Sequence, residues 1–235
     1  MTGPVACGKS TLGRTFLCEE PYQGSIRYGG QELSEMSEEK RCSIVGYMGH
    51  ESELFHDSIR NNILLGKEAD EKPFLRAVCM EQEVNDMPDG ADTLIGNEGV
   101  RLSGGQQARL ALARTLAHKK PLLILDDPFA ALDRGTEKEV FENLKALAPD
   151  SIILLISHRL YLFPEMNQVI WMENGHAYAS THDKLLRTNK QYAGLYQAQC
   201  HESSMSEGSP SVGSTPGRTR ERTGLNEKAD GRETP

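Results

Sequence analysis

Residues 3–10 read Gly3-Pro4-Val5-Ala6-Cys7-Gly8-Lys9-Ser10 and satisfy the spacing G-x-x-x-x-G-K-[ST] at every fixed position. That spacing suits a chain of phosphates. Glycine adopts backbone conformations that other residues avoid, so successive N–H groups can converge on one anion. A helix opening at Lys9 adds its free N-terminal amides. Lys9 is then placed for the terminal phosphates, the Ser10 hydroxyl for a Mg2+ ion, and Thr11 for the flank of the loop. An ordinary glycine-rich turn would look similar in isolation. The apolar run Leu122-Leu123-Ile124-Leu125 closes on Asp126. In a parallel sheet, ligands gather at the carboxyl ends of strands, which puts Asp126 beside the same ion. Without the phosphate loop, Asp126 would be read as a solvated strand end.

Leu102-Ser103-Gly104-Gly105-Gln106 adds a second anion-facing segment, with a hydroxyl and exposed amides where a helix begins. A plain helix cap explains that segment alone but not the order in which the motifs occur. Phosphate loop, 102–106, Asp126-Asp127, Ala130-Ala131-Leu132-Asp133 and Ser157-His158 follow one another as in the ATP-binding cassette (ABC) family, which this sequence resembles over roughly residues 2–199. The resemblance implies ATP and Mg2+ as ligands. It implies that the signature 102–106 contacts ATP held by a second cassette, that Asp133 is the D-loop aspartate linking two nucleotide sites, and that His158 is the switch histidine reaching the terminal phosphate. A histidine suits that contact in either protonation state. Leu54-Phe55 with residues 58–63, Thr93-Leu94-Ile95-Gly96, and the segments 181–186 and 192–196 are similar to exporter-type cassettes.

Three positions depart from the family pattern. Asp127 stands where the family usually places the glutamate that polarises the attacking water. The shorter side chain implies slow hydrolysis, because a general base acts only within hydrogen-bond reach. His50 stands at the glutamine that senses the transmembrane domain. Its geometry and pH response differ from those of glutamine. The aromatic residue on which the family stacks adenine lies upstream of the loop, on strands this sequence lacks, so a fragment of a longer reading frame is expected. Cys7, inside the phosphate loop beside Gly8 and Lys9, is in a setting that raises thiol reactivity, though a small loop-filling residue would look the same.

The elements that must position these residues form an α/β fold: a P-loop NTPase with a mainly parallel sheet flanked by helices, an α-helical subdomain over roughly 55–115, and small β-hairpins. The runs 122–125 and 152–156 are unbroken apolar stretches, as strands covered on both faces require, and the apolar stripe of 137–147 supplies the helix between them. A helix is expected over 9–18, hairpins around 24–32 and 169–179, a strand over 42–48, and helices over 57–65, 72–83 and from 103. Residues 1–199 make one ATP-binding domain. The polar tail 200–235 is expected to be disordered, because it has too little apolar surface to offset its chain entropy.

Composition narrows the partners. The 235 residues carry a net charge of −8, which gives no general attraction for nucleic acid. Five cysteines, an odd number without a C-x-x-C pair, argue for a reducing compartment and against a disulfide framework or zinc site. No apolar run reaches the roughly 18 residues that a membrane helix needs. The expected partners are a second cassette, identical or distinct, and a transmembrane transporter domain, with the chain lying against the cytoplasmic face of a membrane. Two other functions fit the motifs: a soluble, non-transport ABC ATPase, and a regulatory cassette that binds nucleotide without turnover.

Overall fold

The computed structural model describes residues 1–51, 53–96 and 99–206. Its centre is a parallel sheet in the order β3-β4-β5, from Val45–Met48, Leu122–Asp126 and Ile152–Ile156. Val45 pairs with Leu122, and Leu122 with Ile152. All five residues of β4 are buried, as the unbroken apolar run requires. Strand β5 departs from that expectation at its start, where Ile152 is 63% exposed although Leu155 and Ile156 are buried. The reason lies on its outer edge. Met1 and Thr2 lie between β5 and β6 (Val169–Glu173): Ser157 N–H donates to Met1 C=O, and Thr2 N–H donates to Ile170 C=O. Below Met1 the edge of β5 opens into a groove lined by Ile152, Leu154, Phe163 and Ile170. Strand β6 continues antiparallel to β7 (His176–Ser180), and a two-residue hairpin, β1 (Arg27–Tyr28) with β2 (Gln31–Glu32), stands apart.

Helices cover the sheet. On one side α1 (Lys9–Thr15) brings Leu12 to a cluster with Leu33, Ile44, Ile124 and Ile156. Gly13 lies so close to the sheet that an added Cβ would stand 3.1 Å from Ile156 Cδ1. On the other side α3 (Ile59–Leu64), α4 (Lys72–Ala77), α5 (Glu81–Asn85) and α6 (Gly104–Ala117) share one core with α7 (Arg134–Leu147), centred on Ile63, Val78, Leu110, Leu116 and Phe141. The last two helices, α8 (His182–Thr188) and α9 (Lys190–Ser206), close a third cluster with Trp171 and Tyr192.

Three further sequence expectations change. The strand expected over 42–48 is half helix: α2 (Glu38–Ile44) precedes β3 and is capped by Ser37, whose hydroxyl accepts from Lys40 N–H, with Glu38 and Glu39 in the first turn. The helix expected over 72–83 is two helices. Cys79 takes φ 54, its N–H donates to Arg76 C=O and Met80 N–H donates to Leu75 C=O. This is a Schellman stop with buried Met80 closing over buried Leu75. Finally, α9 runs to Ser206, past the expected boundary at 200, because the first helix-breaking residue after Gly194 is Gly208. The rest of the expected tail, residues 207–235, lies outside the described residues.

Candidate nucleotide-binding site

The phosphate loop folds as its glycines demand. A Cβ on Gly3 would stand 2.1 Å from Met172 C=O, so only glycine fits against β6 there. Gly8 caps α1 at φ 94, and Ala6 also takes a left-handed conformation at φ 61. Lys9 is buried and turned back onto its own loop, where its ammonium donates to Gly3 C=O at 3.1 Å and Pro4 C=O at 2.8 Å and lies 3.6 Å from Cys7 Sγ. These neutral carbonyls are partners that an incoming phosphate, with its full charge, can displace.

The loop opens on a cavity of about 350 Å³ lined by Ala6, Gly8, Lys9, Ser10, Thr11, His50, Asp126, Asp127 and His158. Residues far apart in the chain thus meet in one place because the loop, β3, β4 and β5 all end on the same side of the sheet. Gly3, Pro4, Val5 and Cys7 form the part of the loop away from this lining, with Val5 84% exposed.

Asp126 ends β4 and is buried. Tyr47 hydroxyl donates to its Oδ2 at 3.2 Å. Burial, and then the charge of Asp126, push the Tyr47 phenol up to about 12, so it stays a donor at neutral pH. Tyr47 is a site residue that the motifs do not flag; its only sequence signal is its place two residues before Gly49 at the end of an apolar strand. Asp127 adopts φ 52, a left-handed conformation uncommon outside glycine, while its N–H donates to Ile156 C=O at 2.8 Å. Such backbone strain clusters at functional sites. His158 is exposed and lines the cavity. Partial desolvation, and next the cation of Lys9, hold its pKa below the usual histidine range, which favours the neutral ring.

The signature lies elsewhere. Ser103 caps α6 in a capping box: its hydroxyl accepts from Gln106 N–H at 3.2 Å, and its own N–H donates to Gln106 Oε1 at 2.8 Å. Ser103 and Gly104 are exposed, Leu102 is buried, and Gly105 rests against Ala131 C=O. None of residues 102–106 lines the phosphate cavity. Asp133 caps α7, accepting from Thr136 N–H at 3.0 Å and from Thr136 hydroxyl at 2.6 Å, which keeps its carboxyl below the usual range.

The family model described as ABC transporter matches residues 1–130. The chain belongs to the ABC transporter family. P-glycoprotein 14 of Caenorhabditis elegans is 35% identical over 205 residues, covering 85% of this chain and 15% of that protein. An ATM1-type heavy metal exporter of Novosphingobium aromaticivorans is 31% identical over 209 residues, 86% of this chain and 34% of that protein. The solved structure of a bacterial Atm1-family ABC exporter with ATP bound superposes with a TM-score of 0.79 at 29% identity, covering 85% of this chain and 36% of that one. The cassette spans about a third or less of the length of these relatives, and its fold is that of an exporter-type nucleotide-binding domain.

The same neighbourhood holds two groups that the motifs missed. Arg159, next to His158, donates to Leu132 C=O at 2.6 Å and Ala130 C=O at 2.8 Å, and pairs with Glu137 at 2.6 Å. Glu137 is almost wholly buried, and desolvation raises its pKa against the pull of Arg159. Nothing in the sequence marks Glu137, whose carboxylate lies within an otherwise ordinary amphipathic helix.

Proposed function

We propose that this cassette binds Mg-ATP and serves as the ATPase subunit of an ABC exporter. One observation carries the proposal: the phosphate loop, Asp126, Asp127, His50 and His158 line a single cavity. Backbone amides of the loop and Lys9 would hold the phosphates, and His158 would contact the terminal one. Mg2+ fits the donors present. Ser10 hydroxyl and the Asp126 carboxylate face the same cavity, and Tyr47 occupies only Oδ2 of that carboxylate. Two hard oxygen donors suit an ion that completes its shell with phosphate and water. When bound, the ion supplies charge neutralisation for the phosphates.

Ser103 and Gly104 are exposed and lie outside this cassette's own cavity, which supports a second cassette as partner, each signature closing the other's site. Among the described residues no helix is long and apolar enough to cross a membrane. The exporter relatives support a transmembrane transporter domain as partner, with this cassette on the cytoplasmic side.

Asp127 also favours a second reading, a cassette that binds nucleotide but turns it over slowly. Phosphate release from the cassette assembled with an intact partner tests both. Asp127→Glu should raise turnover at this site, because a correctly placed base contributes about 10²–10⁴-fold. An unchanged rate would show that the missing methylene is not what limits hydrolysis.

A further inference from the structure

Residues 157–160 connect β5 to the rest of the chain and carry His158. Their backbone is held from two sides. From one side comes Gln199, 41 residues later on α9: its side-chain N–H donates to His158 C=O at 2.7 Å, and its side-chain oxygen accepts from Leu160 N–H at 2.8 Å. One carbonyl and the amide two residues on are the pair of groups that a strand offers a parallel neighbour. The Gln199 amide therefore stands in for a strand partner opposite Arg159. From the other side Arg159 anchors to Ala130, Leu132 and Glu137, and Arg159 N–H donates to Ser157 Oγ at 3.0 Å.

Helix α9 is itself fixed at two points. Tyr192 is fully buried, edge-on to Trp171 at 5.6 Å between ring centroids, and Gln199 lies about two turns further on, roughly 10 Å along the axis. At that second point Arg134, the first residue of α7, donates to Gln199 C=O at 3.3 Å. Asp133, Arg134, His158, Arg159 and Gln199 line one shallow cavity of about 470 Å³. The C-terminal helix, the turn before α7 and the His158 segment thus meet at Gln199.

We propose that Gln199 is a positioning residue for His158: its amide brackets the His158–Leu160 backbone and so sets where the His158 ring stands over the phosphate cavity. This makes α9 a sensor or lever for the switch histidine, since any movement of the helix must be felt at the His158 carbonyl. The proposal rests on the reading of His158 as the phosphate-contacting histidine for its consequence, though not for its geometry.

Gln199→Met keeps the length of the side chain and removes both hydrogen bonds; Gln199→Glu keeps the acceptor for Leu160 N–H and loses the donor to His158 C=O. The first readout needs no nucleotide: the ring resonances of histidine-labelled protein. In Gln199→Met the His158 signal should shift and its ring order fall, with His182 unchanged as a control for the fold. Gln199→Glu should shift the same signal by less. The second readout is turnover in the assembled pair, where kcat should drop about tenfold with KM for ATP unchanged, as for a group that acts only in the reacting complex. A His158 signal unmoved in both variants overturns the proposal, even if the melting temperature falls, since a purely structural role would lower stability alone. If Gln199→Met does not fold, the Gln199→Glu spectrum decides. Failure of the parent to bind ATP would refute the nucleotide reading and leave the resonance test standing.

Discussion

The Arg159–Glu137 pair offers a perturbation whose size follows from its surroundings. The Glu137 side chain is 1% exposed, and among the described residues Arg159 is the cation that pairs with it, at 2.6 Å. Replacing Arg159 with leucine strands that carboxylate in the interior and frees the carbonyls of Ala130 and Leu132. Removing one partner of a fully buried pair typically costs about 3–5 kcal/mol; with the Arg159 side chain 34% exposed, solvent screening brings this to roughly 2–4 kcal/mol. For a protein of this size, each kcal/mol shifts the melting temperature by about 2–4 °C, so Arg159→Leu should melt roughly 4–16 °C lower. The double variant Arg159→Leu/Glu137→Leu removes the stranded charge as well and should recover most of the loss, because apolar replacement of a whole buried pair is often neutral or better. Urea unfolding followed by the fluorescence of the single tryptophan, buried Trp171, measures all three proteins. A single variant within about 1 kcal/mol of the parent would refute this, since a buried carboxylate cannot lose its cation so cheaply. So would a double variant as unstable as the single one.

Two further outcomes follow from the site and its supports. Thiol reagents should modify Cys7 and block nucleotide binding, and Mg-ATP should protect it, because Cys7 lies 3.6 Å from the Lys9 ammonium within the phosphate loop; equal labelling with and without Mg-ATP would contradict this. His182 is buried with Tyr192 hydroxyl 2.6 Å from its Nδ1, and desolvation lowers its pKa. The folded state therefore holds a neutral ring while the unfolded chain takes up a proton, so this stabilisation is present above the unfolded value near 6.5 and is lost as pH falls through the depressed folded value. His182→Phe should flatten the fall in melting temperature between pH 7.5 and 5, and an unchanged slope would count against the assignment.

The residues of the candidate site were legible because they sit in short local motifs. The loop 3–10, the run ending in Asp126, and the Ser103–Gln106 capping box each carry their signal within a few residues, and β4 is covered as its apolar run demanded. Long-range facts were not legible. Gln199 reaches His158 across 41 residues, and Arg159 reaches Ala130 across 29, with no local pattern to announce either. Helix α2 did have a signal, Ser37 followed by two glutamates, but the apolar residues of 42–48 outweighed it. The break between α4 and α5 depends on Cys79 in a left-handed conformation, where a glycine would have marked the stop. The exposed start of β5 depends on which strands lie beside it, and the apolar run 152–156 cannot report its neighbours.

The central claim is that the amides of residues 3–10, with Lys9 and an ion near Asp126, grip the phosphates of ATP. Calorimetric titration of Mg-ATP into the parent and into Lys9→Ala, both with native Trp171 fluorescence, tests it directly. Loss of a charge-assisted hydrogen bond worth about 1.5–3 kcal/mol should weaken binding roughly 10- to 100-fold. Equal affinity in the two proteins would contradict the account.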